Sequence, residues 1–212
     1  MTTPGPVARA AAIAGLGHRH ALEPGELSEV VAAAADADPR VRSAALGTLV
    51  RGSSPDAALV PWRAAMQDLD AAVRRRAAEL GAVLGTPACV GPLVEALGDR
   101  DVTVVEAAAW SLGELGAATV EDAHAVASLA RVTTDHQDAI AREAAVAALG
   151  ALGDVRGLPA VLRATGDKPA VRRRAVLALA PFEGDDVDAA LQRALEDRDW
   201  QVRQAAEDLT GP

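Results

Sequence analysis

One short pattern of polar and apolar positions keeps returning along this chain. An acidic residue is followed by two variable residues, an apolar anchor, in most copies an arginine, and a run of small apolar residues. It reads DPRVRSAA at 38–45, DAAVRRRAA at 70–78, DVTVVEAAA at 101–109, DAIAREAA at 138–145, KPAVRRRAV at 168–176 and DWQVRQAA at 199–206. The anchors are Val41, Val73, Val104, Ala141, Val171 and Val202, spaced 32, 31, 37, 30 and 31 residues apart. A return at this interval describes supersecondary units stacked on their neighbours rather than one closed core. Almost no stretch alternates with period two, so no sheet is expected.

Each unit reads as two helices. A first helix carrying Leu and Val leads through an acidic turn into a second helix that opens on the anchor pattern. The second helices are expected at 39–50, 71–84, 102–115, 139–152, 169–180 and 200–209, and the first helices at 26–35, 56–66, 88–97, 122–132, 158–164 and 187–195. The segment 7–16 resembles a second helix without its partner, after a tail at 1–6. Asp38, Asp70, Asp101, Asp138 and Asp199 each lie three residues before their anchor, where a carboxylate caps the free amides of a helix. Pro39 and Pro169 follow at the first helical position, while Lys168 takes the cap position of its unit behind Asp167. Gly116 and Gly153 are expected to end helices in left-handed conformation. The anchor and the residues three, four, eight and eleven later should form the buried face, as in Val104, Ala107, Ala108, Leu112 and Leu115. The long interval between 104 and 141 requires about six extra residues, expected near 131–137 as a longer first helix or a loop.

Composition narrows the chemistry. The 212 residues are half hydrophobic, mostly alanine, valine and leucine, but contain only three Trp, one Phe and no Tyr, so a core this poor in large side chains must bring its helices close together. Lys and Arg total 21 against 30 Asp and Glu, a formal charge of −9. Such a chain repels phosphate backbones unless a basic face is segregated, so nucleic acid is not the expected partner. Cys89 is the sole cysteine, which rules out an internal disulfide and fits a reducing, cytoplasmic setting. No apolar run has the length of a membrane span.

The pattern D-x-x-V-R-x-x-A-A-x-x-L-G, with ALGALGD at 148–154, resembles HEAT repeats, above all the short bacterial type called HEAT-like or phycobilisome-lyase-like. The resemblance runs from about 7 to 209. It implies an all-α protein, an α-solenoid of about six stacked antiparallel helix pairs in one domain over 7–212, irregular near 117–138, with the second helices lining a concave face. Members of the family include scaffolds, adaptors, bilin lyases, hydroxylases and DNA glycosylases, so the fold alone does not choose among them.

Trp110 is the leading candidate for a site. It lies six residues after its anchor, off the buried face, and shares an i, i+4, i+8 stripe with Glu106 and Glu114. The equivalent positions on neighbouring second helices are Arg75 and Glu79, Glu143 and Ala147, and Arg173 and Leu177. A Trp in a groove of small residues is either a binding hot spot or a filler packed between repeats. Trp62 is expected in the core, and Trp200 packed at the C-terminal end. The arginine column Arg42, Arg74, Arg142, Arg172 and Arg203 is either an anion stripe or, as the more usual outcome, a ladder paired with cap aspartates. Val105 interrupts it. His18 and His20 have only Glu23 nearby, the His-Glu dipeptide of metal-binding HEAT hydroxylases is absent, and no phosphate loop or catalytic motif occurs, so no cofactor or metal is expected. The resulting expectation is a non-enzymatic scaffold or adaptor that holds a protein or peptide, with a basic segment, in its concave groove. The alternatives are a HEAT-like DNA glycosylase and a bilin-lyase-like enzyme.

Overall fold

The computed structural model describes residues 4–17 and 22–211. Among them are fourteen α-helices, two single 3-10 turns and no strand. Helix α1 (Pro6–Leu16) is the unpaired leading helix and begins inside the expected tail, of which residues 1–3 lie outside the described residues. The pairs follow as α2 (Pro24–Ala33) and α3 (Pro39–Gly52), α4 (Pro55–Met66) and α5 (Ala71–Leu84), α6 (Val90–Ala96) and α7 (Val102–Glu114). Then comes the short α8 (Ala117–Glu121), followed by α9 (Ala123–Asp135) with α10 (Ala139–Leu152), α11 (Leu158–Ala164) with α12 (Pro169–Ala178), and α13 (Asp185–Leu195) with α14 (Trp200–Thr210). The chain is an α-solenoid of six antiparallel pairs, with α1, α3, α5, α7, α10, α12 and α14 side by side in one layer.

The second helices start where the capping chemistry places them. Asp38, Asp70, Asp101, Asp138 and Asp199 each accept the backbone N–H two residues on, and Lys168 at the sixth start makes no side-chain cap. Helix α10 ends on Gly153 in the left-handed region at φ 61°. Gly116 ends α7 as expected, with a positive φ of 52°, but its ψ of −115° lies outside the left-handed helical region and turns the chain straight into α8. The extra residues of the long repeat thus appear mainly as α8, upstream of 131–137, and partly as the 13-residue α9. Thr119 fastens α8 by donating its hydroxyl to the Leu112 carbonyl at 2.7 Å.

The second helices approach closely because the facing residues are small. The residue seven after the anchor meets the preceding second helix. Thr48 there donates to the Ile13 carbonyl at 3.0 Å and Ser111 to the Ala78 carbonyl at 2.6 Å. At Ala148 and Ala178 the partner across the interface is Gly113 and Gly150, where a Cβ would stand 3.2 and 2.6 Å from the facing Cα. The residue five after the anchor (Leu46, Ala78, Ala109, Val146, Val176) is also buried. The expected buried face omitted it, because packing of one second helix on the next adds a flank that a single helix pair does not have. Trp62 is fully buried, as expected, and donates its indole N–H to the Ala77 carbonyl at 2.7 Å.

The arginine column is a structural ladder, with a different partner from the one expected. Arg9, Arg42, Arg74, Arg142 and Arg172 form bidentate pairs with Asp36, Asp68, Asp99, Asp167 and Asp197 at 2.6–3.1 Å. Apart from Asp167, these aspartates lie two residues before the cap, not at it. Each also accepts an N–H at the following helix start, and so ties guanidinium, turn and helix together. The missing rung is changed on both sides. Val105 is buried where an arginine would stand, and His136 occupies the aspartate position, its Nδ1 accepting the Asp138 N–H at 3.1 Å. Arg203, at the end of the column, keeps only its bond to the Asp197 carbonyl.

Two predictions follow from this packing. Gly150→Ala should destabilise the protein by about 1–3 kcal/mol, since its Cβ collides with the Ala178 backbone. Gly91→Ala, in α6 with open space around the new methyl, should raise stability by up to about 0.5–1 kcal/mol. Urea unfolding of the two variants reads the opposite signs. The second prediction concerns acid. Hydrogen bonds from the ladder arginines hold Asp68, Asp99, Asp167 and Asp197 below the usual carboxylate range. Their contribution is therefore complete above the unfolded carboxylate value of about 4 and is lost as pH falls through the depressed folded values. The urea midpoint should hold steady from neutral pH to about 5 and drop below about 4. Asp99→Asn should lower it at neutral pH and make the acid fall shallower. A midpoint unchanged down to about pH 3 would contradict the ladder's role.

Candidate functional site

The second-helix layer forms one wall of a cleft of about 820 Å³ centred on α7 and α10. Its floor is apolar and small, with Ala107, Ala144, Ala147, Ala148 and Gly113, because these positions must let α7 and α10 approach. Its rim carries the chemistry. Of the seven residues singled out from sequence, Arg75, Glu79, Glu106, Trp110, Glu114 and Glu143 line this cleft together.

Arg173 does not. It is exposed on α12, and Arg174 forms that wall instead. The residue three after the anchor leans toward the preceding helix, so Arg174 reaches back to Glu143 on α10 at 3.7 Å. Its Nε has no hydrogen-bond partner and is shut off from solvent. Ile140 and Thr103, one residue before their anchors, also line the cleft. Sequence reasoning passed over this column, although its place on the first turn of each second helix puts it on the groove side.

Trp110 is 49% exposed, so its indole is presented to the cleft and not sealed between repeats. Glu106 and Glu114, one turn to either side, are exposed and make no ion pair among the described residues. Glu79 is occupied by Arg75 at 3.4 Å and Arg76 at 2.9 Å, and Glu143 faces Arg174. Four glutamates against two arginines leave the cleft lining with a formal charge of −2, concentrated where Glu106 and Glu114 flank the indole.

Other candidates carry less. Trp200 is 65% exposed on the first turn of α14, contrary to the expectation that it packs into the C-terminal end. The first helical position points a side chain away from the core at the exposed edge of the last unit. Burial raises the Cys89 thiol to about 11, which leaves it protonated and inert. His18 and His20 lie outside the described residues. No group of three or more His, Cys, Asp or Glu is placed to hold a metal among the described residues. No helix there is long and apolar enough to cross a membrane.

Comparison with known proteins agrees with this architecture. A designed armadillo repeat protein in complex with the peptide (KR)4 is similar over 86% of this chain and 97% of its own, with 19% identity and a TM-score of 0.65. The CpcE–CpcF complex of phycocyanin lyase from Nostoc sp. PCC7120 is similar over 85% of this chain and 74% of that one, with 25% identity and a TM-score of 0.61. YibA of Escherichia coli is similar over 97% and 75%, with 16% identity and a TM-score of 0.67. No curated protein sequence matches the chain. The HEAT repeats family matches at residues 59–150 and again at 126–209. With its period, its paired helices and its arginine–aspartate ladder, the chain belongs to the HEAT-repeat family.

Proposed function

We propose that this protein is a non-enzymatic interaction module that holds a peptide segment of a partner protein in its concave cleft, with a basic side chain of that segment seated on Trp110. The observation that carries this reading is the half-exposed indole set between two unpaired carboxylates on a rigid helix. An indole face attracts a guanidinium or ammonium group, and nearby carboxylates strengthen the attraction. The small-residue floor leaves room for a main chain to lie across α7 and α10. Packing of α7 against α5 and α10, with the Arg74–Asp99 rung at the start of α7, holds Trp110 in place before the partner arrives, which limits the ordering cost of binding. The designed armadillo protein, of related fold, holds a Lys-Arg peptide. That likeness extends to the fold, and the argument for this chain rests on its own cleft.

The acidic lining weighs against the DNA glycosylase alternative, since a duplex would bring phosphates against Glu106 and Glu114. The likeness to CpcE and CpcF favours bilin handling as a second reading. A shifted visible spectrum on mixing the protein with a bilin would support it.

Trp110→Ala should weaken binding of a fluorescein-labelled peptide carrying one arginine among neutral residues by about tenfold or more. The thermal midpoint should stay nearly unchanged, because the lost side chain is half in water. Glu106→Gln with Glu114→Gln should weaken the same peptide and reduce the salt dependence of its binding. Unaltered affinity in Trp110→Ala, measured by fluorescence anisotropy, would remove Trp110 from the site.

A further inference from the structure

The acidic centre of the cleft is bracketed by arginines on both sides, and this arrangement constrains the partner further. On the N-terminal side, Arg51 of α3 and Arg76 of α5 converge over Gly47. A Cβ there would meet guanidinium nitrogens of both residues at 3.4 Å, so the glycine makes room for two like charges side by side. Arg76 is partly neutralised by Glu79 at 2.9 Å, while Arg51 is exposed and makes no ion pair among the described residues. On the C-terminal side, exposed Arg173 stands beside Arg174, whose Nε lacks a hydrogen-bond partner.

We infer that the segment recognised here is not polybasic: it carries one arginine or lysine at its centre and a carboxylate on each side. This rests on the reading of the cleft as a peptide site. Neighbouring helix axes lie about 8–10 Å apart. Arg51 also lies against Gly17 at the end of α1, so the N-terminal cluster sits over α3, about two spacings from α7, and the C-terminal one lies between α10 and α12, about one and a half spacings from it. An extended chain covers those distances in about four to six residues at about 3.3 Å each. A run of lysines and arginines would set its ends against Arg51 and Arg76 on one side and Arg173 and Arg174 on the other. Such like-charge juxtaposition selects against wrong partners.

The test uses three labelled peptides and fluorescence anisotropy at low salt. The first is an eleven-residue peptide with arginine at its centre, glutamate at both ends, and serine and alanine between. The second is its isomer, with both glutamates next to the arginine, and the third is alternating Lys-Arg over eight residues. The first should bind about tenfold more tightly than its isomer, which has the same net charge. The double variant Arg51→Ala, Arg174→Ala, which halves each cluster, should narrow the difference between the two to about threefold without abolishing binding. Equal affinity of the isomers for the unaltered protein, or tighter binding of the Lys-Arg peptide, would overturn the charge register and leave the peptide site standing. Failure of all three to bind would overturn the peptide site as well.

Discussion

The shape of the second-helix face depends on how closely the second helices can approach one another. Large side chains are too scarce to fill a wide interface, so the layer closes by removing side-chain volume. Gly113 lies against Ala148 and Gly150 against Ala178, while Thr48 and Ser111 reach across to backbone carbonyls of the preceding helix. The same economy of side chains produces the cleft. Where the floor is Ala and Gly, the few large or charged groups on the rim stand clear of it, and Trp110 is the largest of them.

The ladder supplies a different kind of order. Exposed ion pairs contribute little to stability, but these arginines are largely covered. Each makes a fork to an aspartate of the next unit and a bond to a carbonyl of its own turn. At Arg74–Asp99 and Arg172–Asp197, the most covered pairs, breaking one side leaves a shielded charge unmatched and destabilises more than loss of an exposed pair would. The rungs therefore tie each unit to the turn of the next. The one rung that is absent, replaced by Val105 and His136, lies at the junction where α8 is inserted and where the cleft is centred. There the close contact between α7 and α10, with α8 and α6 packed against α9, takes the place of the rung.

The repeat, the helix pairs, the aspartate caps and the burial of Trp62 were legible in the sequence because they depend on local chemistry and on a period that six copies repeat. What escaped depends on neighbouring units. The arginine partner was misplaced by two residues, since cap and ladder aspartates look alike until adjacent turns are brought together. Arg174 replaced Arg173 on the cleft wall because a residue's lean toward the preceding helix shows only in the stacked layer. The convergence of Arg51 and Arg76 over Gly47 joins residues of different units, and no motif announces it. Trp200 was assigned to an end contact that its first-turn position does not make. The stripe of Glu106, Trp110 and Glu114 was legible because it needs only the geometry of a single helix.

The close approach of α7 and α10 can be tested by crosslinking. A Cβ on Gly113 would lie 3.4 Å from the Ala148 Cβ, just under the spacing of about 3.5–4.5 Å that a disulfide spans, so a small outward shift of the helices lets the bond close. Gly113→Cys with Ala148→Cys, in a Cys89→Ser background, should oxidise within one chain and lose both thiols while keeping its helical circular dichroism. Two thiols that stay free under mild oxidation, or that pair only between molecules, would show that these helices are not pressed together and that the cleft described here does not exist.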